Sequence, residues 1–253
     1  MKDGIKRTVA AAMLCTAMVA GAFADAKSDA LINAAKRNNT TEMARLIADG
    51  ADIDATDNYG NTVLMWATAS NAADTIKTLI EAGADVNAKK NGNWTALMEA
   101  AYSNATDAVK VLIEAGADVN AQDDDGKTAL MWAITENATD TVKFLIEAGA
   151  DVNAKFYFRY TALMWAAMGN AADVARVFIE AGADINAIDN DSRTALMIAA
   201  IDKATDVAAL LLTAGADVNA KDSTGKTALM YAEERNATDV IALLKAAGAE
   251  TEK

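Results

Sequence analysis

The sequence has no histidine and no proline among its 253 residues, and its one cysteine is Cys15. Without histidine there is no Ser-His-Asp or Cys-His catalytic arrangement, no imidazole metal ligand and no side chain that ordinarily titrates near neutral pH. Any enzyme would have to use carboxylates, lysines or hydroxyls alone. Catalysis is therefore the least favoured class of function, and we expect no enzymatic activity, no cofactor and no metal site.

Basic residues are also scarce, because 23 Lys and Arg oppose 36 Asp and Glu, which gives a formal net charge of -13. The phosphates of nucleic acids and of anionic lipids select basic surfaces, so neither nucleic acid nor a membrane is an expected partner. A neutral or basic protein is the favoured one. The 53% apolar content is too high for a disordered chain and predicts a folded core.

Residues 1–24 have the layout of a secretory signal peptide. Three basic residues, the last of them Arg7, precede an uncharged run over 8–23 that ends in the small-residue pattern Ala22-Phe23-Ala24. A transmembrane anchor would need about 20 strongly apolar residues, whereas this run is shorter and rich in Ala and Thr. We expect cleavage near Ala24, and a periplasmic or secreted protein of bacterial origin.

Cleavage there would remove three basic residues and one acidic residue, so the formal charge of -13 would become -15. It would also remove Cys15, which leaves neither disulfides nor thiol chemistry. A lipid anchor on Cys15 is disfavoured because Met13 and Leu14 are not the small residues that a lipoprotein signal carries before its cysteine. Packing must therefore supply the stability of the mature chain.

The rest of the chain repeats one unit every 33 residues. Two series of residues keep this spacing: Gly50, Gly83, Gly116, Gly149, Gly182, Gly215 and Gly248, and Thr62, Thr95, Thr128, Thr161, Thr194 and Thr227. Each unit is interpreted as a threonine-capped first helix, a second helix that ends before the glycine, and an exposed connection. One unit cannot bury its apolar face alone, so neighbouring units must stack.

The two ends of the repeat carry polar substitutions. Arg45 and Lys245 stand where the other units have mostly apolar residues, as expected of end units that expose one face to water. We divide 25–253 into an N-terminal cap repeat, five internal repeats and a C-terminal cap repeat, with bounds 25–56, 57–221 and 222–253.

Two motifs carry a resemblance to a known family: Thr-Ala-Leu-Met-x-Ala, as in Thr95–Ala100, and Glu-Ala-Gly-Ala-Asp-Val-Asn-Ala, as in Glu81–Ala88. With the 33-residue period, they make residues 25–253 similar to the ankyrin repeat proteins. The resemblance implies an all-α solenoid of seven helix pairs with β-hairpin-like fingers, a concave groove and a role in binding other proteins.

The chain departs from the family pattern where the family commonly has Pro and His. Methionine replaces that histidine in six units: Met65, Met98, Met131, Met164, Met197 and Met230. We expect these thioethers to fill the core, and an oxidant-sensing role is the less favoured alternative.

One finger differs from the polar, glycine-containing fingers of the other units, because it reads Lys-Phe-Tyr-Phe-Arg-Tyr over 155–160. Aromatic residues and arginine dominate interface hot spots, and alternate residues of an extended finger face opposite ways. We therefore predict a protein contact site that comprises Phe156, Tyr157, Phe158, Arg159 and Tyr160. The alternative is that Phe156 and Phe158 fold back onto neighbouring fingers as a small secondary core.

Four further residues join the predicted contact site by their position in the unit. Trp94 lies on another finger, and Tyr102 and Met168 end first helices. Glu99 interrupts a helical position that is otherwise mostly large and apolar, so we expect it to face the groove. The acidic run Asp123–Asp125 lacks the alternate spacing of a calcium loop and is explained by the finger turn.

The leading hypothesis is a monomeric, exported module that binds a neutral or basic protein through the groove and finger 156–160. An inhibitor or immunity protein is a sharper version of this hypothesis. The alternative is a scaffold or chaperone-like accessory protein that supports an exported enzyme.

Overall fold

The computed structural model of the protein describes residues 26–136 and 138–250. The predicted signal peptide and its cleavage site lie outside these residues. The described chain contains seven consecutive helix pairs, which confirms the predicted all-α solenoid: α1 (26–36) and α2 (Thr40–Ala48); α3 (Val63–Ala69) and α4 (Ala73–Glu81); α5 (Ala96–Tyr102) and α6 (Thr106–Glu114); α7 (Ala129–Thr135) and α8 (Thr139–Glu147); α9 (Ala162–Met168) and α10 (Ala172–Glu180); α11 (Ala195–Asp202) and α12 (Thr205–Thr213); α13 (Ala228–Glu234) and α14 (Thr238–Ala246).

The third pair shows how the unit forms. Thr95 has an extended backbone, and its hydroxyl accepts a hydrogen bond from the backbone N–H of Met98 at 3.3 Å, which caps α5. Asn104, with φ of 50°, turns the chain between the two helices. Gly116, with φ of 87°, follows α6 in the left-handed region that glycine adopts at no steric cost.

Neighbouring units stack helix on like helix. First helix α5 contacts α3 and α7, and second helix α6 contacts α4 and α8. The seam between them buries side chains such as Leu97 and Leu112 completely. Five of the six repeated methionines are buried in this core, which supports their predicted packing role: Met65, Met98, Met131, Met164 and Met197.

A ladder of hydrogen bonds ties each unit to the next on the side of the loops that follow the second helices. Asn87 accepts a bond from the backbone N–H of Asp118 at 2.8 Å and donates one to the carbonyl oxygen of Gly116 at 3.2 Å. Equivalent bonds to the next unit's backbone N–H recur through the chain at Asp54, Asn120, Asn153, Asn186 and Asn219. The ladder holds successive loops at one spacing.

At the ends, the side chains of Arg45 and Lys245 are exposed, as expected of terminal units. Arg45 forms ion pairs with Glu42 and Asp49 within α2. No helix within the described residues is long and apolar enough to cross a membrane.

The fingers fall into two types. In four of them an aspartate carboxylate accepts the backbone N–H groups two and four residues later, as Asp123 does from Asp125 at 3.0 Å and Lys127 at 2.8 Å. The equivalent aspartates are Asp57, Asp189 and Asp222. This carboxylate organises the turn from within.

Lys90 and Phe156 replace that aspartate in the other two fingers, and both of these form a short 3-10 turn instead, Asn91–Asn93 and Tyr157–Arg159. The first is flanked by paired strands β1 (Lys89–Lys90) and β2 (Trp94–Thr95), and the second by a single bridge between Phe156 and Tyr160. The expectation of an extended finger over 155–160 is therefore wrong for Tyr157–Arg159, where the chain turns, while Phe156 and Tyr160 on either side of the turn are extended.

Candidate functional site

Finger 156–160 divides its aromatic residues between core and solvent. Phe156 is 6% exposed, and its ring stacks on Trp165 with centroids 5.4 Å apart. Tyr157 and Phe158 are 46% and 71% exposed, and Arg159 is exposed beside them. The prediction that Phe156 presents a contact surface is thus wrong. The alternative correctly expected its burial, but the ring stacks on Trp165 of α9, and Phe158 stays exposed.

The burial of Phe156 follows from the residue that it replaces. In two other units the aspartate at this position also accepts the indole N–H nine residues later, from Trp66 to Asp57 at 3.0 Å and from Trp132 to Asp123 at 3.1 Å. Phe156 offers no acceptor, so ring stacking takes the place of that bond. The indole N–H of Trp165 is buried and has no hydrogen-bond partner among the described residues.

The tip of the finger is strained. Phe158 and Arg159 have φ angles of 53° and 63°, in the left-handed region that costs a side-chain-bearing residue about 1 kcal/mol or more. Three other fingers place glycine at the position of Arg159: Gly60, Gly126 and Gly225. The strained backbone holds a large ring in solvent, where it forms part of a hollow.

We call this hollow the aromatic groove. It has a volume of about 400 Å³ and is lined by Tyr157, Phe158, Tyr160, Trp165 and Met168. Met168 is exposed at the end of α9, and a second hollow of about 440 Å³ continues past it and Trp165. The structure thus brings together most of the predicted finger residues with Met168.

Tyr160 is anchored at the inner end of the groove. Its hydroxyl accepts a hydrogen bond from Arg193 at 3.0 Å, and Arg193 forms an ion pair with the buried Asp189 at 2.8 Å. Burial is the main reason why the pKa of Tyr160 is raised, so its ring stays uncharged at neutral pH. Tyr160 therefore supports the groove rather than projecting from it.

A third hollow, which we call the acidic aromatic pocket, contains the other predicted residues. It has a volume of about 490 Å³, and it is lined by Lys90, Asn91, Gly92, Trp94, Glu99, Tyr102, Asp123, Asp124, Asp125 and Trp132. The rings of Trp94 and Trp132 lie with centroids 4.8 Å apart. Tyr102 meets the ring of Trp132 edge-on at 5.7 Å and is 48% exposed.

Glu99 lines this pocket, but its carboxylate is already engaged. It accepts the indole N–H of Trp94 at 2.9 Å and pairs with the ammonium of Lys90 at 3.3 Å, and its side chain is 20% exposed. The expectation of a side chain that simply faces the groove is corrected accordingly. Lys90 and Glu99 occupy the positions of the aspartate and the tryptophan that are hydrogen-bonded to each other in two other units. In this unit an ion pair between Lys90 and Glu99 replaces that hydrogen bond.

Tyr157 forms the wall between the aromatic groove and the acidic aromatic pocket. Interaction with the side chain of Asp125 is the main reason why the pKa of Tyr157 is raised. The ammonium of Lys127 lies 5.6 Å from the Tyr157 ring and 3.9 Å from the Trp132 ring. The two hollows are therefore adjacent parts of one surface.

Comparison with known proteins shows which family the chain belongs to. The family described as Ankyrin repeats (3 copies) matches residues 9–90, 88–156 and 163–253. The chain is an ankyrin repeat protein. Its structure is similar to the crystal structure of the ankyrin repeat domain of Bcl-3, a member of the IkappaB protein family, with a TM-score of 0.77 and 26% sequence identity. That similarity covers 84% of this chain and 97% of the Bcl-3 domain.

No curated protein sequence matches this ankyrin repeat protein. Its family and fold support a protein–protein interaction module, and ankyrin repeat domains are typically non-enzymatic. Within residues 26–136 and 138–250, no cluster of three His, Cys, Asp or Glu side chains could hold a metal ion. The carboxylate of Asp123, in the acidic run, is used by two backbone N–H groups and Trp132.

Sequence reasoning missed two residues of the surface of this ankyrin repeat protein. Trp132 and Trp165 occupy the mostly large and apolar helical position that Glu99 interrupts, which favours packing, but each also lines a hollow. The sequence does contain a signal that links these tryptophans to the fingers. Each lies nine residues after the finger position that is usually aspartate, which is Asp123 in one unit and Phe156 in the other.

Proposed function

We propose that this ankyrin repeat protein is exported and binds one specific protein partner, neutral or basic, through the aromatic groove. The observation that carries the proposal is the exposure of Tyr157 and Phe158 on a strained finger beside that groove. Export rests on the signal-peptide layout of residues 1–24.

The energetic argument begins with the exposed rings. Covering a phenylalanine side chain that was in water stabilises a complex by about 1.5 to 3 kcal/mol, and Phe158 is 71% exposed. Tyr157 is 46% exposed and can add a comparable contact. A rigid pair of aromatic rings beside a preformed groove is the arrangement in which interface hot spots occur.

The charge of the protein supports the choice of partner. The formal net charge, -13 for the full sequence and -15 after the proposed cleavage, attracts basic proteins over long range and repels acidic ones, and this raises association rates more than affinity. Salt should therefore slow the association with a basic partner. A complex whose formation is insensitive to salt would indicate a neutral partner.

The sharper version of the proposal is an inhibitor or immunity protein, in which the groove covers the active surface of an enzyme or toxin. Its counterpart is a scaffold that supports an exported enzyme. The two differ in their effect on the purified partner. An inhibitor abolishes the partner's activity at stoichiometric ratio, whereas a scaffold preserves or raises that activity and binds less tightly.

The test combines capture from a periplasmic or secreted extract with titration of the purified partner against variants. The test variant is Tyr157→Asn with Phe158→Ser. Phe156 and Tyr160 stay unchanged because both are held by contacts inside the protein. The matched control is Tyr59→Ser, because Tyr59 occupies the position of Phe158 on another finger and is 75% exposed.

We expect the double variant to lose about 2 kcal/mol of binding free energy, which is about a 30-fold loss of affinity. The control should bind like the wild type. Both variants should keep the wild-type helical circular dichroism, because these side chains project from a turn. Equal affinity of all three proteins would refute the contact site.

A further inference from the structure

We propose that the acidic aromatic pocket takes an arginine side chain of the partner, next to an apolar side chain of the same segment in the aromatic groove. This inference rests on the proposed function and names the chemistry of the partner. It is carried by the aromatic walls of the pocket, the excess of carboxylates around it and its continuity with the groove.

The walls of the pocket are suited to a planar cation. Tyr102 stands edge-on to Trp132 at 5.7 Å and to Trp94 at 6.2 Å, and about half of it is exposed. A guanidinium can stack on an aromatic face and keep its N–H groups directed to acceptors in its own plane.

The protein's own lysines show that this surface attracts cations. The ammonium of Lys127 lies 3.9 Å from the centre of the Trp132 ring, and that of Lys90 lies 5.3 Å from the Trp94 ring. These contacts occur at the two rings that form the inner walls. The more exposed ring of Tyr102 is the wall that an incoming side chain reaches first.

The charge of the lining favours a cation over a neutral side chain. Four carboxylates line the pocket against the ammonium of Lys90, and the ammonium of Lys127 lies beside it on the Trp132 ring. Two of them, Asp123 and Glu99, are engaged with indole N–H groups. Asp124 and Asp125 are exposed, and Asp124 accepts a hydrogen bond from the side-chain amide of Asn93. Each carboxylate has further acceptor positions, so a guanidinium stacked on Tyr102 could pair with either one.

Continuity with the groove defines the shape of the ligand. Tyr157 lies between the two hollows: its ring lines the groove, and the ammonium of Lys127 lies 5.6 Å from that ring and 3.9 Å from the Trp132 ring of the pocket. One extended segment can therefore place an arginine on one side of Tyr157 and an apolar side chain on the other.

The test uses synthetic peptides rather than the unknown partner. Ten-residue Gly/Ser peptides carry one arginine and one leucine separated by two to five residues. Matched peptides carry citrulline for arginine, lysine for arginine, or glycine for leucine. Citrulline keeps the shape of arginine and removes its charge. Binding to the full chain is measured by tryptophan fluorescence and by NMR titration.

We expect the best arginine peptide to bind at least tenfold more tightly than its citrulline and lysine counterparts. Tyr102→Ala with Asp124→Asn should remove this preference. The matched control is Asp239→Asn, which deletes one exposed carboxylate from the first turn of α14 and should leave the preference intact. Circular dichroism establishes that each variant is folded.

Equal binding of the arginine and citrulline peptides would overturn the inference, and so would the absence of binding by every peptide at millimolar concentration. Equal binding of arginine and lysine would overturn the assignment to arginine. These failures are separable from that of the proposed function. If Tyr157→Asn with Phe158→Ser still weakens the captured partner, the groove is a contact site and only the arginine pocket is refuted.

Discussion

The strained backbone at the tip of finger 156–160 predicts glycine substitutions that raise the stability of the fold, one of which also weakens partner binding. Arg159 has a φ of 63° and occupies the position at which Gly60, Gly126 and Gly225 have φ angles of 78°, 77° and 85°. Arg159→Gly should therefore stabilise the fold. Phe158→Gly, at φ of 53°, should also stabilise the fold, and it should weaken partner binding because it removes the exposed ring.

The magnitude follows from two opposing terms. A side chain in the left-handed region costs about 1 to 2 kcal/mol, and glycine loses about 0.5 to 1 kcal/mol of additional backbone entropy on folding. The net gain for Arg159→Gly is about 0.5 to 1 kcal/mol. The arginine side chain is exposed, so its removal forfeits little packing.

The assay is urea unfolding followed by far-ultraviolet circular dichroism, with the free energy of unfolding compared among variants. Lys155→Gly is the matched control, because Lys155 is exposed on the same finger and has no positive φ. Glycine there brings only the entropic cost, so this variant should lose about 0.5 to 1 kcal/mol. An Arg159→Gly variant no more stable than the wild type, or one that behaves like Lys155→Gly, would refute the strain argument.

The remaining predictions concern other positions of the repeat. Burial opposes ionisation of Asp222, but hydrogen bonds, first of all from Tyr231, lower its pKa from 3.8 to about 2. The ionised Asp222 carboxylate therefore contributes about 2 kcal/mol to the free energy of unfolding. This contribution is fully present above pH 4 and is lost as the pH falls through 2. Asp222→Asn should therefore make the free energy of unfolding depend less on pH between pH 4 and 2. Lys203 has φ of 59° where the other six units have asparagine, so Lys203→Asn should raise the free energy of unfolding by about 0.5 kcal/mol, and a loss would contradict this. Asp123→Ala removes the acceptor of two backbone N–H groups and of the Trp132 indole and should cost about 3 kcal/mol in urea unfolding, whereas a cost below about 1 kcal/mol would show that the turn does not depend on it.

The repeat itself could be predicted from the sequence because its signals are local. A capping threonine, an asparagine between helices and a glycine after the second helix act within a few residues, and the 33-residue spacing repeats them. Arg45 and Lys245 could likewise be assigned to exposed ends, since each breaks an apolar series. The seven helix pairs follow from these features without reference to distant contacts.

The candidate site could be predicted only in part. The sequence located the unusual finger and pointed to Trp94, Tyr102 and Met168 by position. It could not tell which rings would be buried, because that depends on Trp165 and on a missing aspartate. It also gave no means of seeing that Glu99 would be held by Lys90.

The repeat spacing and the capping residues are local features of the sequence. The sequence by itself therefore determined the stacked helix pairs, their caps and the position of the atypical finger. Only the tertiary structure decided that Phe156 turns inward while Tyr157 and Phe158 stay in water. The physical reason is that the direction of a finger side chain depends on what the first helix offers it. The flat face of the Trp165 indole, whose N–H has no acceptor among the described residues, stacks on the ring of Phe156. The turn at Tyr157–Arg159 then leaves the rings of Tyr157 and Phe158 in solvent.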